Sequence, residues 1–487
     1  MILSLWSVPL VLRALGESDY GLYNLVAGVI AMLAFLNSSM TVVTQRFMSV
    51  TMGEKNVEKL NSVYNAGIRI HIALGIILVV LLEALSPFLF NGFLNILPDR
   101  IEAAKLIYQF MIVSTFFSIM SVPFDATLNA YENMLVFAII EVLGAMARIG
   151  LAFLLFNATI DRLVFYGLGI AVIHIMEALA RVTIVYMKYT DLKVSFRLQI
   201  RKSLFNEMLS YAGWNTFGSL AMVCKNQGMA IILNIFRGTA INAAYGIANQ
   251  VNGAISSFTA NIQKAVSPQL MQREGAKERE SMFEMSFSLV KIATVIFALM
   301  AVPMIMEINQ ILNLWLGENI PEYTAVFCQL IILTQLLFQL SSGVALTIDA
   351  VGNIGFYRLV LSIVILFNIP FAYFLLKSGY PPYAVLFSMV IIEICCLSVR
   401  LFFAHKNGGF PIGAYFRECA VPLILVISLS CISSWIVTHL INESFCRFVL
   451  TTVITAVMTS AGTYFFVFSN KEQMIVISFI KLIVKRK

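Results

Sequence analysis

One lysine lies in a polar run inside an otherwise apolar stretch of the chain. Lys225 belongs to Cys224-Lys225-Asn226-Gln227-Gly228, with long hydrophobic segments on both sides. A lysine holds phosphate as a point charge, and amides such as those of Asn226 and Gln227 bind sugar hydroxyls. The run therefore predicts a site for an anionic, hydroxyl-rich ligand. The alternative is a lysine that pairs internally or extends along a neighbouring helix.

More charged residues fall in three consecutive apolar segments. Arg148 lies two turns after Glu141, so an ion pair between them competes with a ligand-binding role for the arginine. Glu177 and Arg181 have the i,i+4 order that favours an ion pair along one helix, one turn after His174. A role in ion coupling or proton relay is the alternative for the acidic and imidazole groups, namely Asp125, Glu141, His174 and Glu177.

A stripe of polar residues follows a single helix face. Its members are spaced by three or four positions: Tyr245, Asn249, Asn252, Ser256, Thr259 and Gln263. The stripe indicates either polar contacts between helices or the wall of a wet cavity, and we expect Asn249 and Asn252 to bind the ligand. A matching segment after Tyr20 is richer in alanine, and there Asn37 and Arg46 are the candidate ligand contacts.

Membrane helices must position these residues, because the chain is 60% hydrophobic and 12% charged over 487 residues, with a mean hydropathy of +0.87. A soluble protein of this size does not hide so much apolar surface. We predict an all-α polytopic membrane protein with about fourteen helices: 1–15, 20–48, 65–90, 104–130, 135–157, 163–188, 208–236, 240–268, 284–314, 323–350, 355–377, 383–405, 417–440 and 445–468. The first is short for a bilayer, which indicates a truncated helix.

Basic residues set the predicted orientation. Most of the Lys and Arg residues fall in one set of alternate loops and in the tail after residue 470. The positive-inside rule therefore places both termini in the cytoplasm. The net charge of +7 follows from this bias and gives no case for nucleic-acid binding.

An internal repeat organises the chain. Tyr20-Gly21-Leu22-Tyr23-Asn24 returns as Tyr245-Gly246-Ile247-Ala248-Asn249, and Gly53-Glu54-Lys55 returns as Gly275-Ala276-Lys277. Copies in the same order and orientation predict two parallel six-helix lobes, at 1–190 and 191–410, followed by two more helices and a basic tail at 411–487. The segment 189–207 between the lobes is expected to form an interfacial amphipathic helix.

The sequence offers little for other chemistry. The seven cysteines lie in or beside apolar runs without C-x-x-C spacing, and the four histidines are scattered. We therefore expect no metal site, no cofactor and no catalytic residues.

Several short stretches resemble the Wzx-type polysaccharide flippases of the MOP superfamily, in the branch common in Bacteroides-like bacteria. They are 15–24, Thr44-Gln45-Arg46-Phe47, Ala130-Tyr131-Glu132-Asn133-Met134, Gly213-Trp214-Asn215, Asn226-Gln227-Gly228 and Ser267-Pro268-Gln269. The resemblance implies alternating-access translocation of an undecaprenyl-diphosphate-linked oligosaccharide, an O-antigen or capsule repeat unit. It also implies a central cationic cavity, protons or sodium as coupling ions, and other polysaccharide export proteins as partners.

Three alternatives remain open. A multidrug or metabolite antiporter of the related MATE group has the same fold but favours acidic cavity residues for cationic cargo. A lipid II flippase of the MurJ type differs mainly in cargo. A membrane glycosyltransferase or polymerase is the alternative from another class, although no D-x-D motif occurs in the chain.

Overall fold

The structure is a computed structural model, and it describes residues 2–31, 34–90, 96–195, 197, 200–317, 320–470 and 472–474. Every regular element in these residues is helical. The chain divides into two compact units, Met1–Ser219 and Leu220–Lys487. The division into three segments at 190 and 410 stays a prediction.

The described residues of the first unit form six α-helices and the beginning of a seventh. They are α1 (Ile2–Ala31), α2 (Ala34–Gly53), α3 (Val57–Phe88), α4 (Ile101–Ala130), α5 (Met134–Leu154), α6 (Arg162–Lys188) and α7 (Lys202–Gly275), which continues into the second unit. Helix α4 packs on α2, α3 and α6. Apolar side chains such as Ile107, Tyr108 and Leu128 are almost fully buried at the centre of this unit.

In the second unit, the residues that the structure describes form the rest of α7 and ten further α-helices. They are α8 (Arg279–Met306), α9 (Ile308–Leu316), α10 (Thr324–Leu340), α11 (Ser342–Val351), α12 (Gly355–Leu366), α13 (Asn368–Lys377), α14 (Pro382–Gly408), α15 (Ile412–Tyr415), α16 (Val421–Leu440) and α17 (Phe445–Gly462). Helices α16 and α17 pack on each other and on α8. Several predicted helices are thus broken, at Glu307, Ser341 and Phe367.

Ten described helices are long and apolar enough to span a membrane, or eleven if the bent pair α10 and α11 forms one span. The chain is therefore a multi-pass helical membrane protein. Both α1 and α7 contain two helical segments joined at a glycine. The number of fourteen spans stays a prediction.

The two repeats break their helices in the same way. Gly16 in α1 has φ 79° and ψ 169°, and Gly238 in α7 has φ 80° and ψ −175°. Only glycine adopts this backbone region readily, so each break needs that residue. After each break, an asparagine amide donates to the carbonyl four residues earlier, from Asn24 to Tyr20 at 2.8 Å and from Asn249 to Tyr245 at 2.9 Å.

The repeated basic loops also end their helices alike. Lys55 and Lys277 have positive φ values of 55° and 62°. The amide before each lysine donates to the carbonyl four residues back, and the lysine amide donates three residues back. These are the bonds of a left-handed helix cap, so the matched sequence blocks end their helices with the same local structure.

The predicted amphipathic helix at 189–207 is wrong. The described residues of 189–201 form turns and extended chain, and α7 begins at Lys202. Two asparagines of α3 hold this segment. Asn61 donates to the Asp191 carbonyl at 2.7 Å and accepts from the Lys193 amide at 2.8 Å.

Asn65 repeats the arrangement one turn later. It donates to the Lys193 carbonyl at 2.8 Å and accepts from the Ser195 amide at 2.7 Å. Four helical residues rise about 6 Å, and two extended residues span nearly the same distance, so the two spacings match. We call Asn61 and Asn65 the asparagine clamp.

Candidate functional site

A five-residue ion cluster joins three helices of the first unit. Arg148 of α5 pairs with Glu177 of α6 at 2.7 Å. Arg181 of α6 pairs with Asp125 of α4 at 2.8 Å and with Glu141 of α5 at 2.7 Å. The pairing predicted within α6, between Glu177 and Arg181, is not among the ion pairs of the described residues. Instead, both arginines pair with carboxylates on neighbouring helices.

The charges of this cluster do not balance. Three carboxylates face two guanidiniums, so the ionised cluster carries one net negative charge when His174 is neutral. His174 is half-buried in the field of Arg148, Arg181 and Glu141. Arg148 is therefore neutralised by the cluster, and this unit does not present an excess of positive charge there. A surplus carboxylate can hold a proton or a monovalent cation.

A glycine makes room for this cluster. A Cβ atom at Gly144 in α5 would collide with the carboxylate of Glu177. The absence of a side chain at residue 144 lets Glu177, of which only about 10% is exposed, reach the guanidinium of Arg148. The sequence gives no sign of this role, because the contact is between helices.

The second unit has a cluster of opposite sign. Arg400 of α14 pairs with Glu393 at 2.6 Å and donates to Ser341 at 2.7 Å, at the break between α10 and α11. Lys225 of α7 interacts electrostatically with both Glu393 and Arg400. With all three groups ionised, two cations and one carboxylate leave one net positive charge.

Both Glu393 and Arg400 are additions to the predicted site. Arg400 lies inside α14 and only 4% of it is exposed. The spacing of seven residues, which puts both side chains on one helix face, is the signal in the sequence that would have identified them. Beside Lys225, the amides of Asn226 and Gln227 are exposed.

The polar stripe of α7 divides into two parts. Thr259 and Gln263 bond to the buried side chain of Gln339 in α10, each at 3.0 Å. That part holds helices together. Asn249 is exposed and Asn252 is partly exposed. Asn249 donates one bond to the Tyr245 carbonyl and Asn252 accepts one from the Ser256 hydroxyl, so each amide keeps further donors and acceptors for a ligand.

The remaining predicted contacts are in the first unit. Arg46 is buried in α2, with its guanidinium 4.7 Å from the Phe47 ring centre and 4.9 Å from that of Tyr211. This packing favours a structural role. Asn37 belongs to α2, and its side chain lies outside those that the structure describes. Asn215, from the Gly213-Trp214-Asn215 stretch, donates to Ser39 and joins α7 to α2.

Comparison with known proteins identifies a matching family. Residues 1–274 match the family described as Polysaccharide biosynthesis protein. Among curated proteins, none matches this sequence.

Solved transporters share the fold. A crystallised mutant of a MATE protein is 14% identical, with a TM-score of 0.72 over 83% of this chain and 93% of its own. An outward-facing multidrug resistance MATE transporter of the MOP superfamily has the same identity and TM-score over 84% and 92%. A MOP superfamily transporter from Pyrococcus furiosus, whose title names a binding pocket of reverse polarity, is 14% identical with a TM-score of 0.71 over 85% and 93%.

Proposed function

Because the chain belongs to the family of polysaccharide biosynthesis proteins and has the fold of MATE-like transporters, we propose that it is a Wzx-type flippase. Its cargo is an undecaprenyl-diphosphate-linked oligosaccharide, and it works by alternating access in the bacterial inner membrane. It carries out no bond-making chemistry. The positive cluster of the second unit is the observation that carries the proposal.

The diphosphate of the cargo explains the sign of that cluster. An anion attracts Lys225, and Arg400 with Glu393 keeps a second positive group in place beside it. The exposed amides of Asn226, Gln227 and Asn249 supply donors and acceptors for sugar hydroxyls. Cationic drugs, the cargo of a multidrug antiporter, would be repelled by the same cluster.

The first unit supplies the coupling in this proposal. Its ion cluster has one carboxylate more than it has guanidiniums, and an excess carboxylate next to His174 can take up and release a proton. Asp125, Glu141, His174 and Glu177 then respond to the ion gradient, while Lys225 contacts the cargo. Sodium could replace the proton at the same carboxylates.

The test replaces Lys225. We expect Lys225→Ala to lower the export of surface polysaccharide at least about tenfold at normal protein abundance, since a charge-assisted phosphate contact is lost. Lys225→Arg keeps a cation and retains most of the export. Lys377→Ala removes an exposed lysine at the end of α13 and serves as the matched control.

A double variant separates cargo binding from structural pairing. Glu393→Gln alone is the reference for the double variant, because it removes the carboxylate partner of Arg400 in the same way. If Lys225 only balances Glu393, then Lys225→Ala with Glu393→Gln exports as much as Glu393→Gln alone. If Lys225 binds the diphosphate, the double variant exports at least about tenfold less than Glu393→Gln alone. Unchanged export in Lys225→Ala would remove the cationic site from the proposal.

The antiporter and enzyme alternatives have their own signatures. Purified protein in vesicles is expected to move a fluorescent lipid-linked oligosaccharide, with no efflux of organic cations. New glycosidic bonds made by the purified protein from lipid-linked sugars would establish the glycosyltransferase instead. To distinguish the protein from a lipid II flippase, the lipid-linked oligosaccharide and lipid II are offered in the same vesicles and the movement of each is compared.

A further inference from the structure

An apolar groove lies on the outside of the first unit, between α3 and α4. It encloses about 360 Å³ and its lining is Ile76, Val79, Val80, Glu83, Gln109, Ile112, Val113 and Phe116. We propose that this groove binds a phospholipid with a primary ammonium headgroup. Its hydrocarbon chain fills the groove, and its ammonium pairs with Glu83.

The groove has the polarity of a lipid. The two helices run antiparallel, and its two polar residues lie at the same end, where the Gln109 amide donates to the Glu83 carboxylate at 3.2 Å. By the helical rise, Glu83 is about 8 Å from the end of α3 and Gln109 about 12 Å from the start of α4. Deeper in the membrane the lining is entirely apolar, and the Phe116 ring lies against Gly75.

Glu83 needs a cation that the described chain does not supply. Its carboxylate is exposed on a membrane-facing surface, and none of the ion pairs among the described residues includes it. A carboxylate facing hydrocarbon without a partner is costly. Neutral Gln109 solvates it in part and leaves its charge in place.

The second repeat shows what such a carboxylate requires. Glu307 directly follows α8, the helix that comes after the repeated basic loop in the second unit as α3 does in the first. It is only 1% exposed and receives the Arg447 guanidinium at 2.7 Å and the Thr451 hydroxyl at 3.0 Å. Helix α17 provides both groups. Of the most apolar 18-residue stretch of α8, 56% is buried inside the protein, against 33% of the corresponding stretch of α3. A cation therefore completes the site in one repeat, and the surrounding membrane must provide it in the other.

The required cation identifies the class of lipid. A primary ammonium donates hydrogen bonds to Glu83, whereas a quaternary ammonium has no N–H group and fits less well. Anionic phospholipids and the polyprenyl diphosphate are repelled by the carboxylate. The site is thus separate from the cargo site.

Native mass spectrometry of the full chain tests the proposal. The protein is titrated with phosphatidylethanolamine, phosphatidylcholine and phosphatidylglycerol of identical acyl chains. Wild type is expected to prefer phosphatidylethanolamine over phosphatidylglycerol about tenfold, from one charge-assisted contact. Glu83→Gln brings the ratio to within about twofold.

Two further variants keep the result interpretable. Glu102→Gln removes an exposed carboxylate from the first turn of the same helix pair and keeps the preference. Val80→Trp fills the groove, leaves Glu83 in place and also removes the preference. Equal binding of the lipids by wild type, or a preference that survives in Glu83→Gln or Val80→Trp, would overturn the proposal. Dimerisation or partner binding that depends on Glu83, without lipid preference, would overturn it as well.

Discussion

At the scale of single residues, the molecule balances buried charges by contacts between helices. Arg148 and Arg181 reach carboxylates on helices other than their own. The sequence shows which charged residues lie inside apolar segments, and it predicts that each of them needs a partner. The partners were not predictable, since residues of different helices are brought together only by packing. Gly144 is the residue that this packing makes necessary.

Gly144→Ala is expected to lower the stability of the first unit. The new methyl group displaces the Glu177 carboxylate from Arg148, and overpacking of this kind costs about 1–3 kcal/mol. Thermal unfolding of the purified protein measures the loss. Gly150→Ala in the same helix is the control, because nothing lies within 4 Å of the Cβ position there. It should be neutral or slightly stabilising, and equal losses in both variants would contradict the role of Gly144.

A pH effect is expected from Asp161, which caps α6. Its carboxylate accepts from the Leu163 and Val164 amides at 3.0 and 3.1 Å and pairs with Arg100. Burial raises the pKa of Asp161, but the Val164 and Arg100 hydrogen bonds outweigh it, so the pKa lies below its ordinary value. The stabilisation is therefore full above about pH 4 and is lost as the pH falls through the lowered pKa.

Asp161→Asn isolates this contribution, because asparagine also caps a helix but does not titrate. The unfolding temperature of the variant should fall less than that of wild type between pH 5 and pH 3. Asp99→Asn, at an exposed carboxylate nearby, should behave as wild type. An identical acid response in Asp161→Asn and wild type would show that the cap carries no pH dependence.

At the scale of elements, hydrophobic segments were predictable and the connections between them were not. Long apolar runs leave the backbone no alternative to helix in a membrane. The segment after α6 looked amphipathic, yet it is extended, because Asn61 and Asn65 satisfy its backbone groups from the side. A sequence pattern does not reveal a hydrogen-bond partner more than 120 residues away.

Asn65→Leu is expected to release part of this extended segment. The Ser195 amide loses its acceptor, so its hydrogen exchange should accelerate at least about tenfold. Exchange measured by mass spectrometry on peptides containing Ser195 provides the test. Ser62→Ala, which removes only a bond within α3, leaves that exchange unchanged. Unaltered exchange in Asn65→Leu would mean that other contacts hold the segment.

At the scale of the whole molecule, the repeat was predicted from matched sequence blocks, and a glycine breaks a helix shortly before the Tyr-Gly block in both copies. The difference in charge between the units was only partly predictable. Lys225 and the acidic residues were visible in the sequence. Arg400 was not recognised as a site residue, because it lies near the end of an apolar run, where basic residues are common at the membrane surface.

Reporter fusions test the predicted orientation. A fluorescent protein after the C-terminal residue should fold and fluoresce in the cytoplasm. Alkaline phosphatase inserted at Thr159, in the loop before α6, should be active outside the inner membrane. A dark C-terminal fusion together with an inactive phosphatase would reverse the orientation, and with it the leaflet assigned to each end of the helices.

The counterpart of the asparagine clamp has another chemistry. In the second repeat, Phe283 and Phe287 stand 222 positions after Asn61 and Asn65, and both rings pack 5.5 Å from the buried ring of Phe410, in the segment after α14. Apolar packing strengthens on warming, whereas amide hydrogen bonds do not share this gain. We therefore expect the two repeats to respond differently to temperature. Cooling should weaken the aromatic contact before it weakens the hydrogen bonds of Asn61 and Asn65.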